Sequence, residues 1–205
     1  MFENAFKEVL ALYTPDNKLI NIFWIEIVSA YSGSHRRYHN LDHLENLYKE
    51  LLPIRKAIND WETILFSIAY HDIVYSTVKS NNEENSAKLA VFKLTKLGLQ
   101  KDRIELCSNQ ILATKTHSAN EIMDTNYFVD ADLSILGYEF PIYLQYSRQI
   151  RQEFQNYPDL IYKPGRKKVL LQFLAGDRIF KTDHFFNLYE KQARINLADE
   201  LKSLA

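Results

Sequence analysis

Helix-breaking residues are scarce in this chain, which has only five glycines and five prolines among its 205 residues. Apolar residues recur at intervals of three and four through most of the sequence, the spacing that places them on one face of an α-helix. An all-β chain would need many more turn residues. With 46% hydrophobic residues, the chain is long enough to bury one sizeable core. The sequence therefore predicts an all-α, single-domain helical bundle over residues 1–205.

Stop signals divide the chain into ten predicted helices. Proline or glycine follows several of the periodic runs, as at Pro53, Gly98 and Gly137. Asn40 and Asp42 are both candidates for the N-cap of the third helix. The basic cluster 165–168 is predicted to be the exposed start of the ninth helix. The predicted ranges are 3–12, 18–31, 40–52, 61–70, 83–97, 101–114, 121–136, 140–157, 165–175 and 185–204.

Charge and cysteine content exclude several classes of partner. The 25 basic and 26 acidic residues nearly cancel, so no strong field favours a nucleic-acid polymer or an anionic membrane. No apolar stretch approaches the ~20 residues needed to cross a bilayer. The single cysteine, Cys107, excludes an internal disulfide and suits a reducing compartment. We expect a cytoplasmic protein without a membrane partner, and apolar helix faces are equally compatible with a monomer and a homodimer.

His71 and Asp72 stand side by side at the end of the apolar run 61–70. A buried aspartate is costly unless it has a partner or binds a metal. Imidazole nitrogen and carboxylate oxygen together form a ligand set that several divalent metals accept. The pair therefore predicts one corner of a metal site.

Two further pairs offer ligands, and the spacing leaves a choice within each pair. His39 and His43 are four residues apart, so on a helix both imidazoles share one face. Asp130 and Asp132 point about 200° apart on a helix. One aspartate can therefore be a ligand while the other serves as a cap or a salt-bridge partner.

The order His43, His71-Asp72 and Asp132, on separate predicted helices, resembles the HD superfamily of metal-dependent phosphohydrolases. Longer motifs extend the resemblance over nearly the whole chain and look like those of an uncharacterised bacterial branch of predicted HD hydrolases. These motifs are Tyr-His-Asn-Leu-Asp-His at 38–43, Tyr-His-Asp-Ile-Val-Tyr at 70–75, Asn-Glu-Glu-Asn-Ser-Ala at 82–87, Asp-Ala-Asp-Leu-Ser-Ile-Leu-Gly at 130–137 and Arg-Ile-Asn-Leu at 194–197.

The resemblance implies an HD-type fold with four metal ligands, which are His43, His71, Asp72 and Asp132. It favours His43 over His39 because His43 lies deeper in its helix, and Asp132 over Asp130 because the family's last aspartate commonly has an Ala-Asp-Leu setting. Family members with a second metal use extra histidines between the His-Asp pair and the last aspartate, where this chain has only His117. One divalent ion is therefore expected, chosen from Mn, Mg, Fe, Co, Ni and Zn.

The expected function is hydrolysis of a phosphomonoester or phosphodiester, of a nucleotide or another small molecule, by attack of a metal-activated water. Such an attack also needs a proton acceptor and a cation near the phosphate. The candidate catalytic residues are Asp72, Glu83 and Glu84, although two glutamates also suit an ordinary helix start. The candidate substrate contacts are His39, Arg36, Lys115, His117 and Arg194. The alternative function is an HD-type nucleotide-binding or regulatory protein with little turnover.

Overall fold

The computed structural model describes residues 1–204, and the regular secondary structure of this part of the chain is entirely helical, without a β-strand. The all-α prediction is therefore confirmed. Short 3-10 helices follow α3 at Leu52–Ala57 and α7 at Ser134–Gly137. The α-helices are α1 (Phe2–Ala11), α2 (Asn17–Tyr31), α3 (Leu41–Leu51), α4 (Trp61–Tyr70), α5 (Asn82–Leu97), α6 (Lys101–Ala113), α7 (Met123–Leu133), α8 (Phe140–Glu153), α9 (Asp159–Ala175) and α10 (Asp183–Ser203).

The chain divides into two packing units, Met1–Val129 and the remainder from Asp130 onward, and each is described by itself. The single-domain interpretation stays a prediction. In the first unit α4 is central and packs against α1, α3, α5 and α6. Eight of its ten residues are buried, as expected for a helix that is apolar on nearly all sides. His71 directly follows this helix, so its burial is a consequence of where α4 lies.

Two predicted helix ends are confirmed by their local geometry. The Asn40 side chain accepts hydrogen bonds from the backbone N–H groups of Asp42 and His43, at 2.9 and 3.4 Å. Asn40 is therefore the N-cap of α3, and Asp42 belongs to its first turn. Gly98 ends α5 with a φ of 83°, in the left-handed region that glycine adopts without a steric penalty.

Charged side chains hold the start of α4. Asp60 is the N-cap of this helix, and the buried Asp124 accepts the backbone N–H of Asp60 at 2.8 Å. Arg103 on α6 pairs with Asp60 at 3.1 Å and also contacts Glu62 and Tyr13. The Asp124 carboxylate and the Asp60 side chain, which accepts the backbone N–H of Thr63 at 3.1 Å, satisfy N–H groups that have no partner within the helix itself.

In the second unit α10 packs against α9 and against the 3-10 helix that follows α7. The buried Asn196 of α10 donates to the carbonyl oxygens of Leu136 and Tyr138, both at 2.8 Å. A Cβ atom on Gly137 would lie 2.3 Å from the Cβ of Tyr189, so only glycine permits this close approach. The motifs 130–137 and 194–197 are therefore structural parts of one unit.

Two helices differ most from their predicted ranges. The helix predicted over 121–136 ends at Leu133, and a 3-10 turn continues to Gly137. The helix predicted over 165–175 begins earlier, at Asp159, and includes Pro164. Packing explains the earlier start, because Tyr162 is buried with its ring 6.0 Å from that of Phe154. This contact holds the segment helical although proline removes one backbone hydrogen bond.

The prediction that the cluster 165–168 is an exposed helix start is wrong for Arg166. Its side chain is only 8% exposed and forms two hydrogen bonds with Glu200, Nε to Oε1 at 2.8 Å and Nη2 to Oε2 at 3.0 Å. Tyr143 also donates its hydroxyl to Glu200. Burial alone would raise the pKa of Glu200, but the hydrogen bonds and charge of Arg166 lower this pKa below its ordinary value. The local run of basic residues at 165–168 gives no sign of Glu200, which lies 34 residues further along the chain.

Candidate metal centre

His71 is held in a fixed orientation at the C-terminal end of α4. Its side chain is 1% exposed, and its Nδ1 lies 3.0 Å from the carbonyl oxygen of Ile68. A carbonyl can only accept a hydrogen bond, so Nδ1 carries the proton in this arrangement. Nε2, which then has a free lone pair, lies beside Nε2 of His43 and Oδ2 of Asp72. Histidines that bind metals commonly have this support on their second ring nitrogen.

His43 brings a second imidazole to the same point. It lies in the first turn of α3, one turn beyond the Asn40 cap, and its side chain is 1% exposed. The Nε2 atoms of His43 and His71 are 3.1 Å apart. Two nitrogens bound to one ion at ordinary metal–nitrogen distances are separated by roughly 3 Å. The spacing therefore suits a shared ion.

Asp72 adds a carboxylate to these two histidines. It lies just beyond the end of α4, so the 100° separation of neighbouring helical residues does not apply to it. Its Oδ2 lies 3.3 Å from Nε2 of His71 and 3.9 Å from Nε2 of His43. The side chain is 16% exposed, which leaves an opening on the solvent side.

His39 lies at the edge of this group rather than within it. Its Nε2 is 3.9 Å from Oδ2 of Asp72, and its side chain is 21% exposed. Its ring packs against the ring of Tyr75, with centroids 4.6 Å apart. The deeper position of His43, together with its short distance to His71, favours His43 as the ligand and His39 as a contact for a bound molecule.

The donor set fits a divalent cation. His43 and His71 both belong to a group of histidine and aspartate side chains that could hold a metal ion. Imidazole nitrogens and carboxylate oxygens are ligands that first-row divalent metals accept, and the Nδ1 hydrogen bond of His71 supplies the orienting contact. We refer to His43, His71 and Asp72 as the candidate metal centre.

In the second unit Asp130 and Asp132 have different surroundings. Asp130 is fully buried and accepts the backbone N–H groups of Lys181 and Thr182 at 2.8 and 2.7 Å, as well as the Thr182 hydroxyl at 2.7 Å. Burial raises the pKa of Asp130 despite these hydrogen bonds. Asp132 is half-buried in the last turn of α7 and is one of the side chains that could hold a metal ion. Asp130 is therefore a structural carboxylate, which favours Asp132 as the ligand.

Glu83 and Glu84, the predicted general-base candidates, lie in the first turn of α5. Lys115 pairs with Glu84, lies 3.9 Å from Glu83 and donates to the carbonyl oxygen of Ser80 at 2.9 Å. The hydrogen bond from Lys115 lowers the pKa of Glu84, whereas a general base works best with a pKa near the operating pH. These contacts favour Glu83 over Glu84 as a base, and they give Lys115 a role in closing the loop before α5.

The two predicted arginine contacts are occupied by backbone carbonyls. Arg36 is buried and donates to the carbonyl oxygens of His39 and Asp72 at 3.0 and 2.7 Å. Arg194 donates to the carbonyl oxygens of Gly176 and Asp177, at 2.8 and 2.9 Å, and its Nε donates to Glu190. Both guanidinium groups therefore hold loops in place through backbone carbonyls.

His117 follows the last turn of α6 with a φ of 49°. This left-handed conformation is uncommon outside glycine, although histidine adopts it more often than most residues do. Its backbone N–H bonds to the carbonyl oxygen of Ala113 at 2.9 Å, which completes the helix end. The assignment of His117 as a substrate contact stays a prediction.

The sequence patterns missed two residues that support the first unit. Tyr31 was predicted only as the last residue of the second helix, but its hydroxyl accepts the backbone N–H of Asp72 at 3.1 Å. Asp124 lies in an ordinary polar stretch of sequence and yet holds the start of α4. Neither role has a local signal, because each depends on a partner more than forty residues away in the sequence.

No family model matches this chain, and comparison with curated proteins and with solved structures gives no significant match. Among the described residues, no helix combines the length and the apolar character that crossing a membrane requires.

Proposed function

We propose that this chain is a metal-dependent phosphohydrolase of the HD type that cleaves a phosphomonoester or phosphodiester of a nucleotide or another small molecule. One observation carries the proposal: the Nε2 atoms of His43 and His71 and the Oδ2 atom of Asp72 converge within 3.9 Å. Asp132 is proposed as the fourth ligand, in keeping with the motif order. One divalent ion is expected, from the set Mn, Mg, Fe, Co, Ni and Zn.

The residues of the candidate metal centre have separable roles. A bound divalent ion supplies positive charge for phosphoryl oxygens and lowers the pKa of a water molecule. His71, oriented through Ile68, and His43 are buried side chains that would hold the ion. Asp72, whose side chain is 16% exposed, would hold it nearer to solvent. His39, at 3.9 Å from the Asp72 carboxylate, is placed to contact the phosphate or donate a proton.

A specific observation also favours the alternative, a metal-bound nucleotide-binding or regulatory protein with little turnover. Of the predicted catalytic and substrate contacts, Glu84 is paired with Lys115, while Arg36 and Arg194 donate to backbone carbonyls. Phosphoryl transfer relies on cations that reach the transferred group. A metal centre whose predicted phosphate-binding cations have structural partners retains metal binding more readily than catalysis.

The proposed setting is the cytoplasm, with a small-molecule substrate and no nucleic-acid polymer as partner. Cys107 is buried and unlinked, and burial raises the pKa of its thiol to about 12, so the thiol is inert at neutral pH. The near balance of acidic and basic residues argues against a polyanionic partner. A homodimer remains part of the proposal, since exposed apolar residues lie on several helices.

The test begins with the purified full chain. Elemental analysis identifies the metal, and forms loaded with Mn, Mg, Co or Ni are assayed against nucleotides and generic phosphoesters. We expect about one equivalent of metal and turnover of at least one phosphoester. His71→Ala and Asp72→Ala should lose the metal, whereas His184→Ala, in a histidine outside the candidate ligands, should keep it.

Two results would separate the hypotheses. Wild-type protein that binds no metal, or alanine variants that bind it as tightly as wild type, would reject the metal centre. Tight metal binding without turnover across the full substrate panel would reject the hydrolase and support the binding protein.

A further inference from the structure

Arg36 connects the two segments that carry the candidate ligands. Its Nη1 donates to the carbonyl oxygen of His39 at 3.0 Å, and its Nη2 donates to the carbonyl oxygens of Asp72 and Ile73 at 2.7 and 3.1 Å. The side chain is 6% exposed. Of the three guanidinium nitrogens, only Nε has no hydrogen-bond acceptor among the described residues, and that atom is buried as well. This guanidinium group is therefore directed at protein carbonyls.

Two tyrosine rings enclose the Arg36 guanidinium. The Arg36 Cζ lies 4.6 Å from the ring centroid of Tyr31 and 5.1 Å from that of Tyr75. A guanidinium between aromatic faces gains cation–π attraction and loses its rotational freedom. The Tyr31 hydroxyl in turn accepts the backbone N–H of Asp72 at 3.1 Å. Arg36 and Tyr31 therefore hold the carbonyl and the N–H of the same residue.

This arrangement matters because Asp72 lies outside regular structure. The last carbonyl groups of a helix have no partner within the helix, and the residues beyond it can adopt several conformations. Arg36 donates to the carbonyl oxygens of the two residues that follow the His71 cap, Asp72 and Ile73, and so places a positive charge near the C-terminal end of α4, where the helix dipole favours it. One conformation of the Asp72 segment is thereby selected.

We propose that Arg36 is a positioning residue of the candidate metal centre, which sets the carboxylate of Asp72 against the imidazoles of His39, His43 and His71. This inference rests on the proposed function only in that metal binding is its main readout. It replaces the expectation that Arg36 contacts phosphate. A planar group with several donors is required, because one cation must reach carbonyls on two separate segments at once.

The experiment compares Arg36→Met, Arg36→Lys and Arg103→Met in the full chain. Arg103 is the matched control, since it too is an arginine in a polar network at one end of α4, but at the end away from His71. Mn²⁺ affinity is measured by calorimetry, and folding by circular dichroism. We expect Arg36→Met to weaken Mn²⁺ binding about 10- to 100-fold, the range for residues that orient metal ligands. Arg36→Lys should recover part of the affinity, and Arg103→Met should bind as wild type does.

A second readout needs no metal. Nuclear magnetic resonance spectra of the metal-free protein report the backbone amide of Asp72 and the ring nitrogens of the histidines. Arg36→Met should shift the Asp72 amide and the His39 and His71 ring signals, whereas Arg103→Met should leave them unchanged. If Arg36→Met does not fold, Arg36→Lys provides the same comparison.

Each outcome bears on one hypothesis. A folded Arg36 variant with wild-type Mn²⁺ affinity would overturn the positioning role while leaving the metal centre intact. Equal losses of Mn²⁺ affinity in Arg36→Met and Arg103→Met would show that Arg36 only stabilises the fold in general. If wild-type protein binds no Mn²⁺ or other metal, the proposed function fails, and the metal-free spectra alone decide the positioning role: unchanged Asp72 and His71 signals would reject it.

Discussion

The Nε2 atoms of His43 and His71 lie 3.1 Å apart although 28 residues separate them in the sequence. Each histidine reaches this point from a different helix end, His43 from the start of α3 and His71 from the end of α4. His39, four residues before His43, lies at the edge of this group, with its Nε2 3.9 Å from the carboxylate of Asp72 and its ring against that of Tyr75. The two histidines of the 38–43 motif therefore have different expected roles.

The first prediction separates His43 from His39. His43→Gln should weaken metal binding by more than about 100-fold, because it removes a ligand and not merely a supporting residue. His39→Gln should change metal affinity by less than about tenfold, or about 1.4 kcal/mol, while lowering the rate of any phosphoester turnover. Calorimetric titration with Mn²⁺ and steady-state kinetics measure the two effects. The reverse pattern would make His39 the ligand.

The second prediction concerns Asp130 and Asp132. Asp130→Asn should lower the free energy of unfolding by about 1–3 kcal/mol, because an amide cannot accept all the hydrogen bonds that Lys181 and Thr182 donate to the carboxylate. Asp132→Asn should reduce metal content with a much smaller loss of stability. Urea denaturation and elemental analysis of both variants provide the comparison. A stable Asp130→Asn protein that has lost its metal would reverse the assignment.

The third prediction is a pH dependence that originates in the pair of Arg166 and Glu200. The folded-state pKa of Glu200 lies below its ordinary value of 4.5. The ionised carboxylate therefore stabilises the folded protein fully above pH 4.5, and this stabilisation is lost as the pH falls through the lower, folded-state pKa. Glu200→Gln should cost about 3–5 kcal/mol at pH 7, because it leaves the Arg166 charge buried without its partner. The difference between wild type and variant should shrink as the pH falls below 4.5.

The control for this pair is the exposed ion pair of Arg178 and Asp183, in which Asp183 is 88% exposed. Asp183→Asn should change stability by only about 0–1 kcal/mol at pH 7. Thermal unfolding between pH 3 and pH 7 follows both variants. A Glu200→Gln difference that stays constant down to pH 3 would contradict the lowered pKa.

The fourth prediction compares two glycines of the second unit. Gly137→Ala should destabilise the protein by about 1–3 kcal/mol, because its Cβ would overlap Tyr189 at 2.3 Å. Gly165 lies inside α9 with no atom within 4 Å of such a Cβ, so Gly165→Ala should stabilise by about 0.5–1 kcal/mol. Chemical denaturation of the two variants checks the sign of each change. Equal effects would mean that the close approach of Gly137 to α10 is not maintained in solution.

Much of the local structure could be predicted from local sequence. The spacing of apolar residues predicts the helices, and Gly98 and Asn40 mark ends that the structure confirms. The burial of the segment before His71 follows from the apolar residues of α4. These features depend on neighbours a few residues away, and a sequence displays such neighbours directly.

The roles that sequence analysis missed depend on distant partners. Arg36 was expected to contact phosphate, but its acceptors at Asp72 and Ile73 lie 36 and 37 residues further along the chain. Arg166 was expected on the surface, but Glu200 lies 34 residues away and compensates its burial. A charged residue reads the same in sequence whether it faces solvent or a buried partner, so only the fold distinguishes the two cases.

The contacts of the 130–138 segment have a consequence for the order of events during synthesis. Asp130 accepts hydrogen bonds from Lys181 and Thr182, which lie 51 and 52 residues further along the chain. The carbonyl oxygens of Leu136 and Tyr138 accept hydrogen bonds from Asn196, which is synthesised later still. When α7 has been synthesised, the residues that stabilise the last turn of this helix have therefore not yet been added to the chain. His43 and His71 can meet much earlier in translation, whereas these contacts of the 130–138 segment form only after Lys181, Thr182 and Asn196 have been synthesised.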